Sequence, residues 1–167
     1  MRTHPTAARH FGRVVLLLWI AGPATAQQRR EPDPLVVVVA ANSKLRDISI
    51  QDLRRIYTKT LTTASGGERL IPLNQAAGAR DRLAFDNQVL GMSADEVGRF
   101  WVDRKIRGEG QPPKSFASQA TLRALVAAVP GTIAYVRASQ VVASVRVLSV
   151  NGHGPDSPGY PFGETSR

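Results

Sequence analysis

The sequence predicts an α/β domain, a central sheet flanked by helices. Three observations carry that prediction. Leu35-Val36-Val37-Val38-Val39-Ala40-Ala41 is an unbroken apolar, mostly β-branched run of strand length. Such a run marks a strand covered on both faces, as in a parallel sheet lying between helices. Further apolar runs of strand length alternate with stretches of helical periodicity, which is the signature of the α/β class. Leu122, Leu125, Val126 and Val129 recur at i, i+3, i+4 and i+7, the cleanest amphipathic helix in the chain. No internal repeat is evident.

The chain has 167 residues, 43% hydrophobic and 21% charged, with no cysteine and a formal net charge of +9. This composition belongs to a folding chain rather than a disordered one. Without cysteine there are no disulfides and no thiolate chemistry. Arg2, Arg9 and Arg13 surround the start of an apolar run over residues 14–20, and Ala24-Thr25-Ala26 supplies small residues at a cleavage position. That is the three-part pattern of a secretory signal peptide over residues 1–26, cleaved after Ala26. The run is too short to span a bilayer, which takes roughly 20 apolar residues. A periplasmic or otherwise exported protein with no membrane span after cleavage is expected. Cleavage removes three arginines and no acids, lowering +9 to +6. A basic protein in that compartment attracts inorganic anions, acidic polymers or an anionic membrane face, and no nucleic-acid partner is expected there.

The elements follow in order. Residues 27–34 are polar and proline-rich and read as a linker. The strand at 35–41 leads into a polar loop, Asn42-Ser43-Lys44. Ser49, with Asp52 three residues on, caps a helix whose apolar stripe is Ile50, Leu53, Ile56 and Tyr57. Arg54 and Arg55 fall on its solvated side. Residues 58–69 are polar, with Ser65-Gly66-Gly67 as a turn, and suggest a hairpin whose return strand is Leu70-Ile71-Pro72-Leu73. Asn74-Gln75-Ala76-Ala77-Gly78 is a bend, and a helix opens at Ala79-Arg80-Asp81. It carries Leu83, Phe85, Val89 and Leu90, and Gly91 closes it with a left-handed cap. Ser93 to Glu96 is a capping box that opens the next helix, with Val97, Phe100 and Trp101 on one face. The Gly- and Pro-rich residues 106–116 read as a loop. Ser118 caps the helix through Val129, and Pro130-Gly131 stops it. Thr132 to Val136 is a short buried strand. Residues 145–150 alternate and read as one last strand. Residues 151–167, rich in Gly, Pro and Ser, read as a disordered tail. The ordered domain is thus expected over 35–150.

The stretch 70–90 is the candidate functional unit. A strand that passes into a helix through a small-residue bend points free backbone N–H groups into that bend, which favours an anion. Arg80 stands in the first helical turn. Catalysis is not expected. Of the three histidines, His4 and His10 fall in the leader and His153 in the tail, and no cluster has metal-ligand spacing. Asp52, Asp81, Asp86 and Asp95 sit at helix starts or on polar faces, where capping and solubility account for them. No cofactor and no metal are implied.

Four stretches together resemble the phosphate-binding substrate-binding proteins of ABC transporters, within the periplasmic-binding-protein superfamily. They are the first strand with Asn42 and the helix Leu53-Arg54-Arg55-Ile56-Tyr57; Ile71-Pro72-Leu73-Asn74 before a helix with Phe85; Val89-Leu90-Gly91, Phe100-Trp101, Gly108 and Gln111-Pro112-Pro113; and Val129-Pro130-Gly131-Thr132-Ile133-Ala134-Tyr135-Val136. The resemblance covers roughly residues 35–150. It implies one lobe of a fold that in longer relatives has two. It also implies an anion held at the strand-to-helix bend. In those relatives the bend carries an arginine followed by Asp-Gly-Ser-Gly-Thr. Here Asn74 stands for the arginine, Gly78 for the serine and Arg80 for the threonine, so the hydroxyl ligands and the acidic acceptor are absent.

The resulting expectation is a periplasmic solute-binding-like protein that holds phosphate or a related anion weakly, in phosphate uptake or sensing. Asn74, Gly78, Ala79 and Arg80 are the candidate contacts. Asn42 and Ser43 are expected on the same sheet edge, because ligands in open α/β sheets gather at strand C-terminal ends. Half a clam supplies fewer contacts to offset the cost of ordering the ligand, so weak binding is expected unless a second copy or a partner protein completes the site. The alternative is a degenerate lobe that docks a transporter or other envelope protein and binds no solute.

Overall fold

The computed structural model of the chain describes residues 33–64 and 66–163. The signal-peptide reading and most of the linker reading fall outside these residues. No helix among the described residues is long and apolar enough to cross a membrane.

A mixed five-stranded sheet forms the middle layer. Its strands are β1 (Leu35–Ala40), β3 (Ile71–Gln75), β4 (Lys114–Phe116), β5 (Thr132–Arg137) and β6 (Val145–Val147), in the order β4-β3-β5-β1-β6. A second sheet pairs the short β2 (Asp47–Ile48) in parallel with β7 (Ser149–Val150). The helices are α1 (Ile50–Tyr57), α2 (Arg80–Phe85), α3 (Ala94–Ile106) and α4 (Gln119–Ala128).

Every residue of β1 is buried, so the apolar run does mark a strand covered on both faces. Its direction differs from the expectation of a parallel sheet. β1 is antiparallel to both neighbours, β5 and β6, while β3 is parallel to β4 and β5. A continuous apolar run records the covering of both faces and carries no information about strand direction.

Successive side chains of a strand face opposite sides, and β5 shows what covers each. Thr132 donates to carbonyls at the end of α4, Val129 O at 2.7 Å among them. Tyr135 faces the other layer, where its ring stacks on Phe85 at 3.8 Å and meets Tyr57 at 5.9 Å. The buried Tyr57 hydroxyl donates to Leu73 O at 3.0 Å and Ile133 O at 3.3 Å, tying α1 to two strands. Burial in this cluster pushes the Tyr57 and Tyr135 hydroxyls well above their ordinary pKa, so both stay neutral donors.

The caps follow the sequence. Ser49, Ser93 and Ser118 each accept a backbone N–H at the start of α1, α3 and α4. Gly91 ends the second helix at φ 66°, after a π-helical turn over Asp86–Leu90. Gly131 has φ +77°, and a Cβ there would stand 2.1 Å from Arg69 O. Only glycine lets the α4–β5 turn lie this close to the approach of β3.

Four expectations need correction. The Gly/Pro loop contains β4, because residues 114–116 find a parallel partner in Leu73, Asn74 and Gln75 that local composition does not reveal. The stretch read as one last strand breaks at Leu148. β6 stays in the main sheet and β7 pairs with β2. Asn74 and Gln75 belong to strand β3 and are buried rather than part of the bend. The stretch from Asn151, read as a disordered tail, runs as turns through Gly163, with Tyr160 and Phe162 buried at 6% and 3% exposure. Phe162 packs near Phe85 and edge-on to Tyr160. Two aromatic side chains in a Gly/Pro-rich stretch are enough to hold it against the core, since each buries a large apolar area.

Candidate functional site

The C-terminal end of β3 hands over to α2 through Ala76, Ala77 and Gly78. Gly78 has φ +80° and is exposed, so the bend is backbone at the surface. Ala76 O accepts the N–H of Ala79 at 3.1 Å. The Ala79 donor is therefore spent within the turn and is not free for a ligand, a correction to its expected role. Ala79 is the N-cap of α2 and supplies no side-chain cap. The donors of the following turn are left to solvent or to a bound group.

Asn74 is not at the mouth of the site. It is 2% exposed, and its Oδ1 accepts the Tyr135 hydroxyl at 2.8 Å. Gln75 beside it is equally enclosed, its Nε2 donating to Tyr135 O at 3.3 Å. Arg80 is exposed and lines a cleft of about 340 Å³ with Leu35, Gln88, Arg137 and Phe162.

Asn42 and Ser43 do not join this edge. Val39 pairs with Ile133 and Leu35 with Arg137, while Ile71 pairs with Thr132. The end of β1 therefore lies on the same edge of the sheet as the start of β3, with β5 between them, a full strand length from the bend. A separate cleft of about 400 Å³ takes Asn42 and Ser43 together with Gly66, Glu68 and Gly131. There the Ser43 hydroxyl donates to the Glu68 carboxylate at 3.0 Å and its carbonyl accepts Arg146 at 2.8 Å. The rule that ligands gather at strand C-terminal ends joins two loops only when their strands run the same way, and β1 and β3 do not.

The structure adds charged residues that the sequence reading passed over. Arg137, at the end of β5, holds Asp81 of α2 at 2.7 Å and donates to Asp33 O at 2.8 Å. Gln119 donates to the other Asp81 oxygen at 3.1 Å. Asp81 is 8% exposed, so capping and solubility do not account for it. Arg82 and Asp86 form a second pair at 2.6 Å, with side chains 9% and 4% exposed. Arg82 also donates to Gln75 O at 3.2 Å. Burial raises the Asp86 carboxyl above its ordinary pKa, and Arg82 opposes that shift. Opposite charges four apart on a helix were the available signal for Arg82 and Asp86. Nothing local marks Arg137 and Asp81 as partners.

The arrangement offers an uncapped helix start beside a cleft with two arginines, one of them neutralised by an internal carboxylate. It offers no nucleophile and base pair. Among the described residues no group of three or more His, Asp or Glu side chains is placed to hold a metal ion.

The sequence matches no family model and no curated protein. Solved structures do share the fold. An ABC-type phosphate transport receptor from Vibrio cholerae matches with a TM-score of 0.59 at 16% identity, over 74% of this chain and 48% of its own. PstS from Borrelia burgdorferi matches with 0.61 at 14% identity, over 79% and 55%. A phosphate ABC transporter-type substrate-binding protein from Clostridium perfringens, with bound phosphate, matches with 0.54 at 21% identity, over 72% and 46%. The chain spans about half the length of these proteins. Over that half, its central mixed sheet and flanking helices have the fold of the phosphate ABC transporter substrate-binding proteins.

Proposed function

We propose that this chain is an exported solute-binding lobe that holds phosphate or a related anion weakly at the start of α2, in phosphate uptake or sensing. The observation that carries the reading is the uncapped α2 start beside the cleft lined by Arg80 and Arg137. Free N–H donors and the positive end of the helix favour negative charge there, and Arg80 adds an exposed cation. The role is binding, not catalysis. Gly78 and Arg80 remain the contacts of choice, and Arg137 joins them. Asp81 already satisfies Arg137, so the net attraction is small, which supports weak binding. A partner in the cell envelope, or a second copy, would supply the remaining contacts.

Calorimetric and melting titrations with phosphate, sulfate and methylphosphonate test the reading. Phosphate should raise the melting temperature saturably in the millimolar range, because a ligand bound only to the native state stabilises it. Arg80→Ala should weaken the effect. No response to any millimolar anion would discard the solute-binding reading and leave the docking lobe. An unchanged response in Arg80→Ala would move the site elsewhere.

A further inference from the structure

Helix α3 has an outer face that nothing among the described residues covers. Val97 and Trp101 turn inward. On the outer side Gly98, Val102 and Ile106 form one ridge of residues four apart. Ile106 is 79% and Val102 60% exposed, more than any other large apolar side chain described. Leu83, also exposed, borders Gly98 across a shallow groove, so the apolar face continues onto α2. Glycine in mid-helix weakens a helix relative to alanine. Nothing stands within 4 Å of the place a Cβ would take at Gly98, so no contact among the described residues calls for glycine there. Beside the ridge runs a charged row, Asp95, Arg99, Asp103 and Arg107, alternating in sign at the same spacing. Asp95 and Arg99 make no ion pair among the described residues. Arg107 holds Asp103 at 2.9 Å and Glu109 at 2.8 Å, but all three side chains are exposed, where such pairs exchange at little cost.

We propose that this face is the interface of a two-fold dimer, in which α3 packs antiparallel on α3 of a second copy of the chain. The charged row is its own complement when reversed. Residues rise about 1.5 Å each along a helix. A two-fold axis level with Trp101 therefore brings Arg99 to the level of Asp103 in the second copy, and Asp95 to the level of Arg107, each pair occurring twice. Val102 then lies beside its own counterpart at the axis. The hollow at Gly98 receives Val102 and Ile106 of the second copy, and the missing side chain lets the two helices approach closely. A parallel pairing sets Asp95 on Asp95 and Arg99 on Arg99, so the charges select the antiparallel one. The contact uses the same patch on both copies and closes at two subunits. With 13 residues, α3 is about 20 Å long. That is the small end of specific interfaces, so the dimer dissociates in the micromolar range or above. None of these residues lines the Arg80 and Arg137 cleft, and the proposal stands apart from the anion reading.

Sedimentation equilibrium of the chain from micromolar to millimolar concentration tests the proposal. Monomer should pass to dimer, with no larger species, and added salt should favour the monomer. Gly98→Leu should weaken the dimer at least about tenfold by filling the hollow. The same change should raise the melting temperature of the monomer, since leucine is the better helix former, so lost association cannot be mistaken for lost folding. Arg99→Asp and Asp103→Arg should each weaken the dimer at least about tenfold, because each sets like charges against each other. The two together should restore it close to wild type, since the pairs re-form with their signs exchanged. The proposal is overturned if the chain stays monomeric throughout, including the case in which a different envelope protein binds α3. It is also overturned if Gly98→Leu associates as wild type does, or if the double charge reversal associates no better than either single one.

Discussion

Asp81 and Arg137 lie 56 residues apart in the chain, and their side chains meet at 2.7 and 2.8 Å. The pair joins the first turn of α2 to the end of β5. It therefore fixes how the bend at Gly78 sits against the sheet. With side chains 11% and 22% exposed, it is sheltered enough to count, unlike most surface pairs.

Arg137→Gln should cost roughly 1–3 kcal/mol, because Asp81 keeps only Gln119 and Asp33 O loses its donor. Urea unfolding monitored by circular dichroism measures the loss. A midpoint equal to that of wild type would show that the pair does not hold α2 in place.

Arg82→Met should cost more, about 3–5 kcal/mol, since it strands the Asp86 carboxylate in a buried position. Adding Asp86→Leu should recover a large part of that loss. The non-additivity is the signature of a coupled pair, and the same urea experiment on both variants reads it. Equal destabilisation in the single and the double variant would contradict the coupling.

Phe162→Ala should destabilise the fold by roughly 3–5 kcal/mol, the cost of emptying a buried aromatic site. The residue is 3% exposed and belongs to the core cluster with Phe85 and Tyr135. A change within experimental error in the melting temperature would place the segment after Asn151 outside the core.

Acid should weaken the α3 cap. Glu96 accepts the Ser93 backbone N–H at 2.7 Å and its hydroxyl at 2.8 Å, and these bonds hold its carboxyl below the ordinary pKa. A lowered folded-state pKa gives stability that is present above the unfolded value and lost as pH falls through the folded one. Wild type should therefore exceed Glu96→Gln in melting temperature at neutral pH, and the two should converge below the ordinary carboxylate range. Asp86 has the opposite sign. Burial raises its pKa, so its contribution is present below the unfolded value and fades as pH rises through the folded one.

Much of the fold is legible in the residues themselves. Ser49, Ser93 and Ser118 announce three helices because a hydroxyl at the N-cap satisfies a free N–H within three residues. Gly91 and Gly131 announce their turns because only glycine adopts φ near +70° freely. Leu122 and Val126 of the α4 stripe are wholly buried and Leu125 partly so, while Val129, just past the helix end, is 38% exposed. The candidate site was less legible. Gly78 and Arg80 do lie at the bend and the helix start that follows it, but Asn42 and Ser43 lie at the other end of the sheet. Arg137 and Asp81 went unpaired because 56 residues separate them in the chain.

The sequence by itself determined the four helices, the strands β1, β3 and β5, three of the four helix caps, the two-sided burial of β1 and the α/β class. All of these depend on interactions within a few residues, or on a period that burial imprints on the chain. Only the tertiary structure decided the antiparallel run of β1, the recruitment of residues 114–116 into the sheet and the docking of Phe162. It also decided the pairing of Asp81 with Arg137 and the enclosure of Arg82 with Asp86. Burial of a strand is the same whichever way it runs, and a charged side chain reveals its partner only when distant segments meet. Those meetings set the shape and the charge of the surface around α2.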